Sequence, residues 1–175
     1  MLGPPNSAKS TTAAEIFTHL KRNHVNIELI TEQFKPSIYK GVNVLDKNKQ
    51  LKIFADQMDL ELTYLNGGVE LIVTDCPVIL NVFYAKQLGV SYWGELLEIE
   101  RQYSAQYPYV NIVLPHKCEN HSTVGRLHNV EEAKKVEEDL KIFLRETETE
   151  WVSCDPYIIE YVDFIINQKY YEVIL

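Results

Sequence analysis

The chain has 175 residues, of which 46% are hydrophobic and 24% charged, and its formal net charge is −8. This length favours a single domain, residues 1–175, with one sizeable core, and the hydrophobic fraction excludes a wholly disordered chain. No run approaches the roughly 18 apolar residues of a membrane span, so no membrane partner is expected. The acidic balance argues against a protein that coats nucleic acid, because that affinity comes mainly from cations.

The cysteines point to a reducing environment. Cys76, Cys118 and Cys154 are scattered along the chain and odd in number, which argues against a disulfide framework. The N-terminus has no charged region followed by an apolar stretch, as a secretory signal would. A cytoplasmic location is therefore expected.

Hydrophobic periodicity and turn residues predict helices that alternate with short strands. The predicted strands are residues 26–31, 69–74, 110–114 and 151–154. The predicted helices are residues 10–22, 48–65, 78–88, 92–107, 130–146 and 155 to about 167. This order predicts an α/β fold with a largely parallel sheet and helices on both faces. In such a sheet, ligands bind in the loops at the carboxyl ends of the strands.

The predicted helix 48–65 is strongly amphipathic. Apolar residues recur on one face at helical spacing, so that face is expected to be buried. These residues are Leu51, Phe54, Ala55, Met58, Leu62 and Leu65.

A phosphate-binding motif precedes the first helix. Residues 3–10 read G-P-P-N-S-A-K-S and match the pattern G-x-x-x-x-G-K-[ST], except that Ala8 replaces the second glycine. In such a loop, Lys9 reaches the β- and γ-phosphates and the hydroxyl of Ser10 binds Mg²⁺. The alternative is a proline-rich turn that caps a helix. The predicted nucleotide-binding residues are Gly3, Pro4, Pro5, Asn6, Ser7, Ala8, Lys9, Ser10 and Thr11.

A second element supports this interpretation. The aliphatic run L-I-V-T ends at Asp75, as an acidic partner of bound Mg²⁺ requires. Asp75 would hold the metal through water, or would take the proton from an acceptor hydroxyl. The alternative is that Asp75 caps the helix that begins near Pro77.

Together these segments resemble a small P-loop kinase family. The family includes nicotinamide-riboside kinase domains and phage-encoded AAA-like ATPases or nucleotide kinases, some of which phosphorylate 5-hydroxymethyluracil within DNA. The resemblance covers nearly the whole chain, and the phage branch fits best. It is carried, in order, by residues 3–14, 27–35, 55–57, 74–80 and 124–129.

The resemblance implies ATP and Mg²⁺ as cofactors and assigns further residues. Glu32 and Gln57 would bind the acceptor, although Glu32 could simply cap the next segment and Gln57 could face solvent. Arg126, in a lid loop of about residues 116–129, would join Lys9 and Asp75 as a catalytic residue by stabilising the transferred phosphoryl group.

Two features depart from the family pattern. Ala8 replaces the usual glycine, and its Cβ lies where the backbone approaches phosphate. Met1 and Leu2 alone precede Gly3, so the first strand, which is central in this fold, is expected to be truncated. Arg126 also has an alternative, a surface ion pair with an acid early in the helix 130–146.

The expected function is an ATP-dependent phosphotransferase that acts on a nucleoside, nucleotide or related hydroxyl acceptor. One alternative is a kinase of 5-hydroxymethyl bases in phage DNA, with modified DNA as partner and the host cytoplasm as location. That alternative lacks an obvious cationic track for DNA. The other alternative is a catalytically weakened nucleotide-binding or interaction protein.

Overall fold

The computed structural model describes residues 1–32, 35–116 and 130–155. The predicted lid loop after residue 116 and the predicted last helix after residue 155 lie outside these ranges. The helices are α1 (Lys9–Arg22), α2 (Lys35–Tyr39), α3 (Gln50–Asn66), α4 (Val78–Gln87), α5 (Trp93–Gln106) and α6 (Val130–Glu146), with a 3-10 turn at Lys47–Lys49. The strands are β1 (Ile27–Ile30), β2 (Leu71–Thr74), β3 (Ile112–Val113) and β4 (Val152–Ser153).

The sheet consists of two parallel strand pairs with residues 1 and 2 between them. β1 pairs with β2, and β3 pairs with β4. Leu2 donates from its N–H to the carbonyl of Ile112 at 2.7 Å and accepts from the N–H of Leu114 at 3.0 Å. On the other side, the Met1 nitrogen donates to the carbonyl of Thr74 at 2.5 Å. The backbone of residues 1 and 2 thus occupies the central position, in the order β1, β2, residues 1–2, β3, β4.

Helices cover both faces of the sheet, as predicted. Met1 and Ile112 belong to a core cluster with the buried residues of α1. Leu2 and Val113 belong to a second cluster, which contains residues of α3, α4, α5 and α6. This division follows the alternation of side chains along a strand. No helix among the described residues is both long and apolar enough to cross a membrane.

The predicted buried face of α3 is partly wrong. Leu51 is 51% exposed and Ala55 is also exposed, whereas Gln57 and Glu61 are each only 2% exposed. The amide of Gln57 donates to Glu61 at 2.8 Å, and the hydroxyl of Tyr103 on α5 donates to the other carboxylate oxygen at 3.1 Å. Because these polar groups satisfy one another, the helix buries them and turns two apolar residues outward.

Candidate functional site

Glycine is required at the first position of the phosphate loop. Gly3 has a φ of 140°, and a Cβ there would lie 2.5 Å from the carbonyl oxygen of Leu114 and 2.7 Å from Oγ of Ser7. The hydroxyl of Ser7 in turn donates to the carbonyl of Pro4 at 2.8 Å, which closes a turn. The loop therefore folds tightly between the end of β3 and the start of α1.

Ala8 adopts the left-handed backbone conformation at the position where the motif has glycine. Its φ and ψ are 61° and 21°, and it forms the N-cap of α1. That conformation costs an L-residue roughly 1–2 kcal/mol, whereas glycine adopts it freely. The turn is thus retained without its glycine, at a conformational cost.

The loop gathers positive charge and N–H donors. Nζ of Lys9 donates to the carbonyls of Gly3 and Pro4 at 2.9 and 2.8 Å, so the ammonium group lies inside the curve of the loop. The N–H groups of Ser10 and Thr11 lie in the first turn of α1, where the helix supplies no acceptor and its dipole is positive. This donor set fits a phosphate chain.

Asp75 connects three segments at the carboxyl end of the sheet. It is only 4% exposed, and its carboxylate accepts a hydrogen bond from the hydroxyl of Ser10. The other carboxylate oxygen accepts from the N–H of Glu32 at 2.8 Å. Neither partner belongs to α4, whose N-cap is Pro77 and which has no side-chain cap hydrogen bond. The alternative in which Asp75 caps that helix is therefore wrong.

The paired oxygens of Ser10 and Asp75 fit a magnesium ion. Mg²⁺ in nucleotide sites takes one or two protein oxygens and completes its octahedron with phosphate and water oxygens. Among the described residues, no group of three or more histidine, cysteine or acidic side chains gathers into a separate metal cage.

The loop opens into a cavity that extends toward α2, α3 and α4. Residues 5–11 line it together with Val44, Ile53 and Asn81. Glu32 lines the same cavity as the phosphate loop. The structure thus brings together every sequence-predicted nucleotide-binding residue from Pro5 to Thr11 with Asp75 and Glu32.

Gln57 lies apart from this cavity. It lines a second, adjoining cavity, and its amide nitrogen is bonded to Glu61. Because Gln57 is only 2% exposed, the alternative in which it faces solvent is wrong.

Arg126 lies outside the described residues, so its role stays a prediction. His116, at the start of the predicted lid loop, donates from its backbone N–H to Glu137 on α6 at 2.8 Å. Lys141 forms an ion pair with the same carboxylate at 2.6 Å. The start of the lid loop is therefore anchored to α6.

Sequence reasoning missed two buried polar features. Asn81 is 3% exposed within the apolar helix α4, where a single polar residue among aliphatic ones was the available signal. Glu61 accepts hydrogen bonds from both Tyr103 and Tyr109, and burial raises the pKa of its carboxyl group. No local pattern reveals the bonds from the two tyrosines to Glu61, since both tyrosines come from distant segments.

The comparison with known protein families agrees with this geometry. The sequence model of the AAA domain family matches residues 1–157. No curated protein and no solved structure matches the chain. The parallel sheet, the loop around Lys9 and the acid at the end of β2 are the parts that a nucleotide-binding P-loop domain requires. The chain therefore belongs to the AAA domain family and has the α/β fold of a P-loop NTPase.

Proposed function

We propose that the protein is an ATP-dependent phosphotransferase that moves the γ-phosphate of ATP to a hydroxyl group of a nucleoside-type acceptor. The observation that carries this proposal is the shape of the site. One cavity is lined by the phosphate loop, by Asp75 and by the apolar side chains of Val44 and Ile53. Hydrolysis needs room only for a water molecule beside the γ-phosphate, whereas this cavity has walls for an organic acceptor.

The phosphate loop holds the donor nucleotide in this proposal. The N–H groups at the start of α1 bind the phosphate chain, and Lys9 exchanges its carbonyl partners in the loop for phosphate oxygens. The Ser10 hydroxyl and the Asp75 carboxylate would hold Mg²⁺, directly or through water. The ion supplies charge neutralisation on the β- and γ-phosphates.

Asp75 lines the cavity beside the phosphate loop, so it would contact both the donor nucleotide and the acceptor. An acceptor oxygen forms a bond to the γ-phosphorus while the bond from that phosphorus to the β–γ bridging oxygen breaks, and ADP leaves. In the alternative to binding the ion, the Asp75 carboxylate, which the N–H of Glu32 holds in place, would take the proton of the acceptor hydroxyl. Arg126 keeps its predicted role of closing over the transferred group.

The test is a panel of acceptors with ATP and Mg²⁺. Nucleosides, mononucleotides and hydroxymethyl-containing DNA are supplied, and both ADP and phosphorylated acceptor are measured. We expect at least one acceptor to stimulate ADP formation, and Lys9→Ala to lower that rate by roughly 10²-fold or more. Lys21→Ala is the matched control. Lys21 lies at the opposite end of the same helix from Lys9, and its ammonium group forms an ion pair with Glu28.

If no acceptor raises ADP formation above background and Lys9→Ala equals the wild type, the phosphotransferase proposal fails. Phosphorylated product in both the wild type and Lys21→Ala, with none in Lys9→Ala, supports it. Release of inorganic phosphate alone would instead indicate a hydrolase.

A catalytically weakened nucleotide-binding protein is the second candidate. The left-handed Ala8 favours it, because Ala8 lines the cavity next to Lys9 and its Cβ would crowd a bound phosphate chain. This candidate predicts ADP or ATP binding without acceptor-dependent turnover. It also predicts that Ala8→Gly raises turnover, since glycine removes the Cβ from the phosphate-binding surface.

A further inference from the structure

Gln50 is a buried polar residue in the wall of the cavity beside the phosphate loop. It is the first residue of α3, it is only 3% exposed, and it lines this cavity. The steps of the proposed phosphoryl transfer do not use it. A buried amide at this place therefore has to be explained by its hydrogen bonds.

The amide nitrogen of Gln50 has all its partners inside the protein. Nε2 donates to the carbonyl of Val44 at 2.9 Å and to the carbonyl of Asp46 at 3.2 Å. A primary amide has two N–H groups, so both are taken. Because both partners are carbonyl oxygens, the nitrogen must face them, and this fixes the orientation of the amide.

The amide oxygen of Gln50 is the end that stays available to a ligand. Within the described part of the chain, Oε1 accepts no hydrogen bond. The described residues contain a few unpartnered polar atoms that are sealed from solvent, but Oε1 of Gln50 is not among them. Oε1 therefore keeps accessible surface. Since Gln50 is otherwise buried and lines the cavity, that surface faces the cavity.

An available amide oxygen in a cavity favours a ligand that donates a hydrogen bond to it. A polar atom that loses water without gaining a partner costs free energy, so a ligand with an N–H or O–H group at this point binds better than one without. A ligand oxygen at the same point would meet Oε1 as a second acceptor. Gln50 can thus distinguish donors from acceptors.

The side chains next to Gln50 are apolar and favour a ring as the ligand. Val44 accepts the bond from Nε2, Leu45 follows it in the chain, and Ile53 lies three residues further along α3. All three line the same cavity as Gln50. Apolar walls with a few fixed polar atoms are typical of sites that hold a flat organic group and set its orientation.

A ring edge with an amino group fits Oε1 better than an imide edge. The N–H of an imide, as in uracil, lies between two carbonyl oxygens, and each of them would need a donor close to Oε1. The amide nitrogen of Gln50 supplies none, because it is bonded to Val44 and Asp46. An exocyclic amino group, as in cytosine or adenine, presents an N–H without two flanking carbonyl groups.

We propose that Gln50 is a specificity-determining residue whose Oε1 accepts a hydrogen bond from the exocyclic amino group of a nucleoside acceptor held in this cavity. This inference rests on the proposed function, because it names the acceptor class of the same site. Binding is measured without turnover, however, so the failure of one proposal can be told from the failure of the other.

The test is calorimetric titration of the full chain with two pairs of nucleosides in the presence of saturating ADP and Mg²⁺. One pair is cytidine and the riboside of 2-pyrimidinone, and the other is adenosine and purine riboside. In each pair the second compound lacks the amino group and keeps the ring and the sugar. We expect at least one amino nucleoside to bind, and its partner and uridine to bind at least roughly 5-fold more weakly.

The protein variant is Gln50→Met, which has a similar length and no amide. It also loses the bonds to Val44 and Asp46, which weakens both members of a pair alike. The readout is therefore the ratio of the two affinities, which should fall from roughly 5 or more to about 1. Gln87→Met is the matched control and should keep the wild-type ratio, because Gln87 is exposed on α4 and lines neither this cavity nor the second one.

The wild-type titrations decide the ligand class without any variant. Absence of binding by both amino nucleosides overturns the inference, as do equal affinities within both pairs, which would mean that only water bonds to Oε1. A stronger affinity for uridine overturns the assignment of an amino group. If Gln50→Met binds ADP as the wild type does and keeps the wild-type ratio, the role of Gln50 is overturned.

The acceptor panel separates this inference from the proposed function. Binding of an amino nucleoside without any phosphorylated product leaves the inference standing and contradicts the phosphotransferase proposal. A phosphorylated product from another acceptor, with no binding by either amino nucleoside, overturns the inference and leaves the phosphotransferase proposal standing.

Discussion

The hydroxyl of Ser10 donates a hydrogen bond to the carboxylate of Asp75, across 65 positions of the sequence. This bond joins the first turn of α1 to the end of β2 inside the candidate site. Glu32 bonds the other carboxylate oxygen through its backbone N–H at 2.8 Å. The buried carboxylate of Asp75 therefore holds both the start of α1 and the segment that follows β1. It contributes to folding as well as to the proposed chemistry.

Replacing Asp75 by Asn should damage both roles. Asn keeps the shape but places an NH₂ group where one of the two acceptor oxygens stood. We expect the free energy of unfolding to fall by about 1–3 kcal/mol. Acceptor-dependent ADP formation should fall by roughly 10²-fold or more. Urea denaturation and the ADP assay measure the two effects.

The control for this substitution is Asp59→Asn, an exposed position on α3. It should change stability by less than about 0.5 kcal/mol. An Asp75→Asn protein as stable and as active as this control would contradict both roles of the carboxylate.

Gly3→Ala should destabilise the fold strongly. The added Cβ would lie 2.5 Å from the carbonyl oxygen of Leu114, which is backbone and cannot move aside. Overpacking and the unfavourable φ together should cost roughly 2–4 kcal/mol, measured by chemical denaturation. Gly94→Ala is the control, because that glycine lies in α5 and an added methyl group would have no neighbour within 4 Å. It should instead gain up to about 1 kcal/mol from helix propensity.

Ala8→Gly should leave stability unchanged or raise it by up to about 1 kcal/mol. Glycine removes the left-handed strain at φ 61°, and this gain is partly offset by the greater freedom of the unfolded chain. Ala55→Gly, at an exposed helical position in α3, should lose about 1 kcal/mol. If the unfolding midpoint of Ala8→Gly falls as much as that of Ala55→Gly, Ala8 carries no strain.

Stability should fall as the pH rises through the titration of Glu100. Burial raises the pKa of this carboxyl from 4.5 to about 7, with Arg101 opposing the shift and Glu61 adding to it. The folded state thus keeps the proton up to about pH 7, while the unfolded state releases it near pH 4.5. The contribution of protonated Glu100 to the free energy of unfolding is fully present below pH 4.5 and is lost as the pH rises through about 7.

Glu100→Gln should remove this part of the pH dependence. Relative to the wild type, the variant should gain roughly 1–3 kcal/mol between pH 5 and pH 8 in urea denaturation. Glu98→Gln, at an exposed position on the same helix, should follow the wild-type profile. Parallel profiles for all three proteins would mean that Glu100 titrates normally.

Much of the fold was readable from the sequence because its signals are local. Aliphatic runs between turn residues marked β1 and β2, and the loop that ends in Lys9 and Ser10 has a fixed spacing. The acid at the end of β2 is also a local signal, and strand topology then brings it to the loop. Residues 1 and 2 were harder, because their central position depends on backbone hydrogen bonds that no side-chain pattern encodes.

The buried polar residues could not be read from periodicity. The pattern of α3 treats every apolar residue as buried, so it placed Leu51 inside and gave no reason to bury Glu61. Glu61 is stable in the core because Tyr103 and Tyr109 donate to it from segments more than 40 residues away. The same holds for Asn81, because the cavity that it lines is formed by residues far apart in the sequence.

The position of Leu2 makes ligand binding and sheet stability parts of one cooperative unit. Its backbone bonds to the β3 segment on one side and is followed directly by Gly3 of the phosphate loop. A nucleotide held by that loop restrains the segment shared by the two strand pairs. Amide hydrogens at Leu2 and Leu114 should therefore exchange more slowly when ADP and Mg²⁺ are bound, by a factor that tracks nucleotide concentration over its dissociation constant.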